Sequence, residues 1–167
     1  MTVYVALLRG VNLGKRQLKS DDLRAIGTKV GLHDCRTYVA SGNLLFRSDD
    51  PPSQIQERLE AALGDHMDAA VPVVLRTAAE MADVAKNNPF PQEAGNKVAV
   101  YFFGAAADSA GAKNQTSERI VAAPRELYVH YPDGIGASKL SIPAARSATA
   151  RNMNTVAKLA ELAREIA

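Results

Sequence analysis

The feature that most constrains the fold is an order of strand-type and helix-type segments that occurs twice along the chain. Residues 3–8 and 97–103 are nearly continuous apolar runs, which predict strands covered on both faces. After each run the pattern predicts a helix, two neighbouring strands and a further helix. Such units build antiparallel or mixed sheets with helices packed on one face. We therefore predict an α+β fold made of two related halves.

The first half, residues 1–90, carries clear signals for where its elements start and stop. Strands are predicted at 3–8, 35–39, 44–47 and 71–76, and helices at 20–30, from 51 or 52, and from 77 to about 88. Ser20 is expected to N-cap the first helix, which ends at Gly31. Thr77 and Glu80 form a capping-box signature for the third helix.

The second half, residues 91–167, follows the same order with a weaker first helix. Strands are predicted at 97–103, 119–122 and 126–131, and helices at 108–118 and 152–166. Gly111 and Asn114 make the segment 108–118 a poor helix former. No Gly/Ser-rich stretch separates the halves, so we expect two closely packed subdomains without a flexible linker.

The composition is typical of a folded cytoplasmic protein. Of 167 residues, 47% are hydrophobic and 23% charged, which are ordinary values for globular domains. The one cysteine, Cys35, excludes an intrachain disulfide and fits a reducing compartment. The N-terminal apolar run is too short for a signal peptide or a membrane span. We therefore expect a cytoplasmic protein that does not interact with membranes.

Basic charge is distributed unevenly, although the formal net charge is only +2. Residues 1–20 contain four basic side chains and no acidic one, and the same holds for residues 134–160. If the fold brings these two acid-free segments together, they form one positive surface. The alternative is a chance local imbalance.

Two loops of the first half contain candidate ligand-binding residues. The loop at 9–15 has two glycines after a buried strand, and Arg9, Asn12 and Lys15 supply donors. The spacing of a P-loop is absent, and a glycine-permitted turn is the alternative. The next loop contributes Ser41 and Asn43, in a Ser-Gly-Asn triplet that is also typical of a hairpin turn.

The third loop, residues 128–139, combines a phenol, an imidazole, a carboxylate, a hydroxyl and an ammonium group. These belong to Tyr128, His130, Asp133, Ser138 and Lys139. His130 is the candidate proton carrier near neutral pH, and Asp133 is the candidate group that orients it. A Tyr–His pair on a sheet face without a catalytic role is the alternative.

The fourth loop, residues 149–155, is predicted at the start of the last helix. Arg151, Asn152 and Asn154 are candidates for binding an anion there, because exposed N–H groups and the helix dipole favour negative charge. A helix cap requires only one such polar residue. We therefore favour a binding site over capping alone.

Several chemistries lack their sequence signature. The three histidines are scattered, and with a single cysteine they give no metal-ligand spacing. Dinucleotide-binding and nucleophile-elbow motifs are absent, so no cofactor is predicted. Aromatic residues make up 5% of the chain, with no Trp, which is sparse for a platform that stacks single-stranded nucleic acid.

The four loops together resemble a family of uncharacterised bacterial proteins, domain of unknown function 1697. The matching stretches are residues 6–14, 36–43, 88–90, 126–136, 138–140 and 150–156. The resemblance spans nearly the whole chain, and the run His-Tyr-Pro-Asp-Gly-Ile-Gly at 130–136 is its most specific part. It implies two related ferredoxin-like subdomains and no particular activity, because the family's function is not established.

Three functional hypotheses follow from the sequence. The first is binding of a phosphorylated small molecule or nucleotide in a basic pocket between the loops. The second is an enzyme that uses His130 and Asp133 on an anionic substrate. The third, which we do not favour, is weak nucleic-acid binding by the basic segments. The pocket of the first hypothesis requires that loops far apart in sequence converge on one surface.

Overall fold

The computed structural model describes residues 1–12, 17–39 and 42–167. Within these residues the protein is α+β, as predicted, with eight strands and four α-helices. The chain forms two compact units, the first of residues 1–81 with 161–167 and the second of residues 82–160. This division differs from the predicted one, since it assigns 82–90 to the second unit and the C-terminal residues to the first.

The first unit contains a four-stranded antiparallel sheet in the order β2-β3-β1-β4. Its elements are β1 (Thr2–Leu8), α1 (Ser20–Lys29), β2 (His33–Thr37), β3 (Asn43–Ser48), α2 (Pro52–Met67) and β4 (Val73–Thr77), and α3 (Ala78–Lys86) follows. The sequence of elements βαββαβ is that of the ferredoxin-like motif.

The central strand β1 explains why this sheet forms. Its residues from Val3 to Leu8 are buried, so the strand is covered on both faces, as its continuous apolar run predicts. On one face, Tyr4, Ala6 and Leu8 share a hydrophobic cluster with side chains of both α1 and α2. The prediction that helices pack on one face of the sheet is therefore confirmed for this unit.

The second unit has the same strand order, β6-β7-β5-β8, and is also antiparallel. Its strands are β5 (Val98–Phe102), β6 (Arg119–Ala122), β7 (Glu126–His130) and β8 (Thr149–Asn152), and α4 (Met153–Ile166) follows. Irregular connections stand where the first unit has α1 and α2, and the one between β7 and β8 contains two short 3₁₀ turns. The prediction of two related halves is thus confirmed for the strands, while the helices differ.

Two buried arginines occupy equivalent positions in the two units. Arg76 pairs with Val5 in the first sheet, and Arg151 pairs with Val100 in the second. Each arginine lies two residues before a helix, and each Nη1 donates a hydrogen bond to the carbonyl of its preceding residue. The two last strands therefore have the same local design.

The helix predicted at 108–118 is absent. Gly111 has φ +74° and Asn114 has φ +60°, a left-handed backbone that interrupts a right-handed helix. Lys113 instead forms an isolated antiparallel bridge with Ser141, so this segment pairs with the other long connection of the unit. Glycine and asparagine, which weakened the helix prediction, are the physical cause of the error.

Three element boundaries also correct the sequence predictions. Lys19, not Ser20, is the N-cap of α1, and its side chain makes no capping bond. The strand expected at 35–39 ends at Thr37, because Val39 has φ +47°. Residues 149–152 form strand β8, so α4 begins only at Met153. The Thr77–Glu80 capping box is confirmed by reciprocal hydrogen bonds of 2.8 and 3.1 Å.

None of the helices in the described part of the chain is both long enough and apolar enough to cross a lipid bilayer.

Gly27 permits the close approach of α1 to the sheet, which gives a test of the packing. A Cβ at this position would lie 2.8 Å from Cys35 Sγ and 3.1 Å from Leu44 Cδ2. We expect Gly27→Ala to lower the free energy of unfolding by about 1 kcal/mol, since overpacking costs more than the helix propensity of Ala returns. Urea denaturation measures this change.

The matched control repeats the substitution in a Cys35→Ala background, where the sulfur is gone. There the propensity gain remains while the main clash disappears, so Gly27→Ala is expected to be neutral or stabilising by up to about 1 kcal/mol. An equal loss of stability in both backgrounds would show that Cys35 does not limit the approach of the helix.

Candidate functional site

The first two candidate loops lie side by side within the first unit. The N–H of Leu8 donates to the carbonyl of Gly42 at 2.9 Å, and a Cβ on Gly42 would lie 2.6 Å from Val11 Cγ2. Gly42 has φ +83°, so glycine serves both the turn and this close approach. The loops therefore meet where β1 ends and β3 begins.

The asparagines predicted as ligand-binding residues in these loops make hydrogen bonds within the protein. Asn12 Oδ1 accepts a hydrogen bond from the N–H of Leu18 at 2.7 Å. Asn43 is fully buried, and its Nδ2 donates to the carbonyl of Tyr38 at 2.9 Å. Arg9 is half-buried and its N–H bonds to the carbonyl of Pro72.

Two of the predicted ligand-binding residues, Lys15 and Ser41, lie outside the described residues.

Tyr128 and His130 share one face of β7, as the strand alternation predicts, and both are buried. The hydroxyl of Tyr128 donates to the carbonyl of Val84 at 2.8 Å. Burial, with a smaller contribution from the charge of Glu126, raises the pKa of Tyr128 to about 12. Tyr128 therefore acts as a neutral hydrogen-bond donor within the fold.

Both ring nitrogens of His130 are engaged. Nδ1 lies 3.2 Å from Arg119 Nη2, and Nε2 lies 3.2 Å from Glu93 Oε2. Because guanidinium can only donate, Nδ1 accepts and the proton sits on Nε2, facing Glu93. Arg119 also packs over the ring of Phe90, 4.9 Å from its centre. These contacts tie the segment after α3 to the β6–β7 hairpin, and Asp133 is not among the partners of His130.

The residues of the fourth loop are built into secondary structure. Arg151 lies in β8 and is 8% exposed, and burial lowers its pKa to about 10. Asn152 Oδ1 accepts a hydrogen bond from the N–H of Thr155 at 2.9 Å, which caps α4. Asn154 is exposed and lies against Gly95, where a Cβ would come within 2.0 Å of its Oδ1.

The third loop forms one wall of a pocket of about 330 Å³ in the second unit. We call it the 114–139 pocket. The residues that line it are Asn114, Thr116, Glu118, Tyr131, Asp133, Gly134, Ala137, Ser138 and Lys139. The structure thus brings together three of the predicted site residues, Asp133, Ser138 and Lys139, while Tyr128, His130, Arg151, Asn152 and Asn154 do not line this pocket.

Glu118 is the residue of this pocket that the sequence analysis missed. Its Oε2 accepts a hydrogen bond from Ser138 Oγ at 2.5 Å, and its Oε1 accepts from the N–H and the hydroxyl of Thr116 at 2.7 and 3.2 Å. The bond from Ser138, followed by the backbone bonds, lowers the pKa of Glu118 to about 2. Burial acts in the opposite direction and contributes less.

No motif in the sequence marks Glu118, and the predicted helix over 108–118 placed it at a helix end. Its partner Ser138 lies 20 residues farther along the chain, so no local pattern links the two.

Tyr131, which lines the pocket, and its neighbour Tyr101 pack in the hydrophobic cluster of the second unit. Tyr131 is 4% exposed, and its hydroxyl lies 2.6 Å from that of Tyr101. Burial, together with this hydrogen bond, raises the pKa of Tyr131 well above its ordinary value.

A shallower groove of about 840 Å³ runs between α1 and α2 of the first unit. Lys29, Arg58 and His66 are its basic lining residues. Arg58 forms an ion pair with Asp50, and His66 Nε2 lies 3.8 Å from Asp22 Oδ2. Because two of the three basic groups have acidic partners, we regard the 114–139 pocket as the better candidate site.

Residues 1–128 match the family model described as protein of unknown function DUF1697. The chain belongs to this family. The resemblance seen in the sequence is therefore confirmed over residues 1–128, and no activity comes with it. The run at 130–136 lies beyond the matched residues. In this DUF1697 protein the matched region ends within β7, so it contains Glu118 and stops before Asp133, Ser138 and Lys139.

A solved structure with a similar fold is described as a conserved bacterial protein, SP0830 from Streptococcus pneumoniae. Its sequence is 23% identical to that of this DUF1697 chain, the match covers 98% of this chain and 99% of that one, and the TM-score is 0.81. At this identity the similarity shows the fold alone. No curated protein matches the chain.

Across residues 1–12, 17–39 and 42–167 no three His, Cys, Asp or Glu side chains cluster in a way that could hold a metal ion.

The hydrogen bond from Ser138 to Glu118 predicts a specific pH dependence of stability. Since the folded pKa of Glu118 is about 2, below its ordinary value of 4.5, the bond stabilises the fold above pH 4.5. This stabilisation is lost as the pH falls from 4.5 to 2. We expect Ser138→Ala to lower the free energy of unfolding at pH 7 and to differ less from the wild type at pH 2.

Ser147→Ala is the matched control for this prediction. Ser147 Oγ donates to the carbonyl of Ala144 and bonds to no carboxylate, so its loss should change stability equally at both pH values. Chemical denaturation of the three proteins between pH 2 and 7 provides the measurement. A Ser138→Ala effect that stays constant with pH would mean that the hydroxyl does not act through the charge of Glu118.

Proposed function

We propose that the second unit of this DUF1697 protein binds a small polar molecule in the 114–139 pocket. A volume of about 330 Å³ lies at the lower end of the ~300–1,000 Å³ that is usual for small-molecule sites. The observation that carries the proposal is the convergence of Glu118, Asp133, Ser138 and Lys139 on one concave surface. Convergent polar groups in a pocket are what orients a small ligand.

The position of the pocket within the fold supports this proposal. The two connections that form it replace the helices of the first unit, and the Lys113–Ser141 bridge joins them. The Ser138–Glu118 hydrogen bond adds a side-chain link between the same connections. A site anchored at two points keeps its polar groups in place, which lowers the cost of ordering them when a ligand binds.

The functions expected from the sequence fit this pocket less well. A phosphorylated ligand would meet two carboxylates and only one ammonium group among the lining residues, and like charges oppose binding. His130 lacks a free ring nitrogen for acid–base work, because Arg119 and Glu93 engage both. The anionic ligand and the nucleic-acid alternative remain predictions without support from the geometry of the pocket.

The proposal is tested by filling the pocket with a large side chain. Ala137 lines the pocket and is exposed, so Ala137→Trp should block it at little cost to the fold. A thermal-shift panel would contain amino acids, amines, sugars, sugar phosphates and nucleotides. A compound present at ~100 times its Kd should stabilise the wild type by ~2.7 kcal/mol, and Ala137→Trp should abolish the effect.

Ala122→Trp is the matched control, because Ala122 is exposed on β6 and does not line the pocket. This variant should keep the response of the wild type. The proposal fails if no class of compound stabilises the wild type, or if Ala137→Trp responds as well as Ala122→Trp does.

A further inference from the structure

We infer that the ligand of the 114–139 pocket carries a cationic amine, which binds between Glu118 and Asp133, together with an acidic group that binds Lys139. This inference rests on the proposed function, since it names the chemical class of the molecule bound there. The observation that supports it is that the charges of Glu118, Asp133 and Lys139 have no ionic partner within the described part of the protein.

None of the charged groups in the pocket is neutralised by an ion pair within the described part of the protein. The ion pairs of residues 1–12, 17–39 and 42–167 include neither Glu118, Asp133 nor Lys139. Glu118 is only 7% exposed, and its charge is held by hydrogen bonds from Ser138 and Thr116 rather than by a cation. A cationic ligand group would add the ionic partner that the protein does not supply.

The carboxylate of Glu118 is surrounded by hydrogen-bond donors. The hydroxyls of Ser138 and Thr116 and the N–H of Thr116 all donate to it, and the backbone N–H of Glu118 itself also contributes to its lowered pKa. These donors hold the carboxylate in its charged form, which attracts a cationic group.

Negative charge exceeds positive charge around the pocket. Two carboxylates and one ammonium group line it, so its carboxylates exceed its ammonium groups by one. A ligand that carries one more amine than acidic groups balances this excess, whereas an anionic ligand adds to it. The absence of any cluster of three metal-ligating side chains among the described residues favours an organic amine over a metal ion.

The size of the pocket fits a small ligand. A volume of about 330 Å³ corresponds to the space of about eleven water molecules at ~30 Å³ each. This space suits a molecule of the size of an amino acid.

The test is isothermal titration calorimetry at low salt with five probes. They are a zwitterion with an additional amine (L-lysine), an acidic zwitterion (L-glutamate), a diamine (putrescine), a sugar phosphate (glucose 6-phosphate) and magnesium chloride. We expect L-lysine, whose two amines exceed its one carboxylate, to bind best, and L-glutamate and putrescine to bind more weakly. Glucose 6-phosphate and magnesium alone should give no heat of binding.

Charge-neutral variants identify which protein group recognises each part of the ligand. A hydrogen bond to a charged group is worth about a tenfold change in Kd or more. Asp133→Asn should therefore weaken every amine-bearing probe about tenfold. Lys139→Gln should weaken binding of L-lysine and L-glutamate, whose carboxylates Lys139 binds, and should not weaken binding of putrescine, because the substitution removes a like charge from the pocket. Asp83→Asn changes the net charge equally on an exposed position of α3 and should shift each Kd less than twofold.

The possible failures are distinguishable. If glucose 6-phosphate or magnesium binds in the pocket and the amines do not, the inference is overturned while the proposed function stands. The inference is also overturned if Asp83→Asn weakens the amines as much as Asp133→Asn does, since the amine would then sense only net charge. If no probe binds and the wider panel of compounds is silent as well, the proposed function itself fails.

Discussion

Each unit depends on a central strand that is buried on both faces. β1 pairs with β3 and β4, and β5 pairs with β7 and β8, whereas the edge strands β2 and β6 pair with β3 and β7 instead. Because the central strands are buried on both faces, they fix the position of each sheet in its core, and the other strands take their places from the ladders. A one-residue slip of a half-buried outer strand would turn its side chains over between core and solvent.

The candidate site arises where the second unit departs from the first. In the first unit, α1 and α2 fill one face of the sheet with Leu23, Ile26, Ile55, Leu59 and Leu63. In the second unit, irregular loops take the place of these helices. The apolar side chains that they add to the hydrophobic cluster are smaller and more scattered along the chain. Loops carry more polar side chains close to the sheet than helices do, because their backbone groups need local partners. The pocket is the space that these loops enclose.

Some residues of the types found in catalytic sites make contacts within the fold of this protein. His130 lies beside a tyrosine and near an aspartate in sequence, which is the composition of an acid–base site. In the structure it bridges two residues. Arg119 lies 11 residues earlier, on β6, and Glu93 lies in the segment after α3. Arg151 likewise is a strand residue whose equivalent, Arg76, lies buried in the first unit. Side chains of catalytic type are thus used here to join segments.

How much of the structure the sequence predicts depends on how far apart along the chain the interacting residues lie. The strands at 3–8 and 119–122 and the Thr77–Glu80 capping box were predictable, because they depend on neighbours along the chain. The segment 108–118 was not, since Gly111 and Asn114 adopt left-handed backbone there and the bridge of Lys113 is to Ser141, far along the chain.

The sequence by itself determined the family, the α+β class and the approximate strands, because apolar periodicity and capping are local properties. It also selected Asp133, Ser138 and Lys139, which are close together in the chain. Only the tertiary structure added Glu118 to them and removed His130 and Arg151 from the pocket. A partner 20 residues away is chosen by the path of the folded loops, and the face on which a strand residue lies is decided by sheet register, neither of which a local pattern contains.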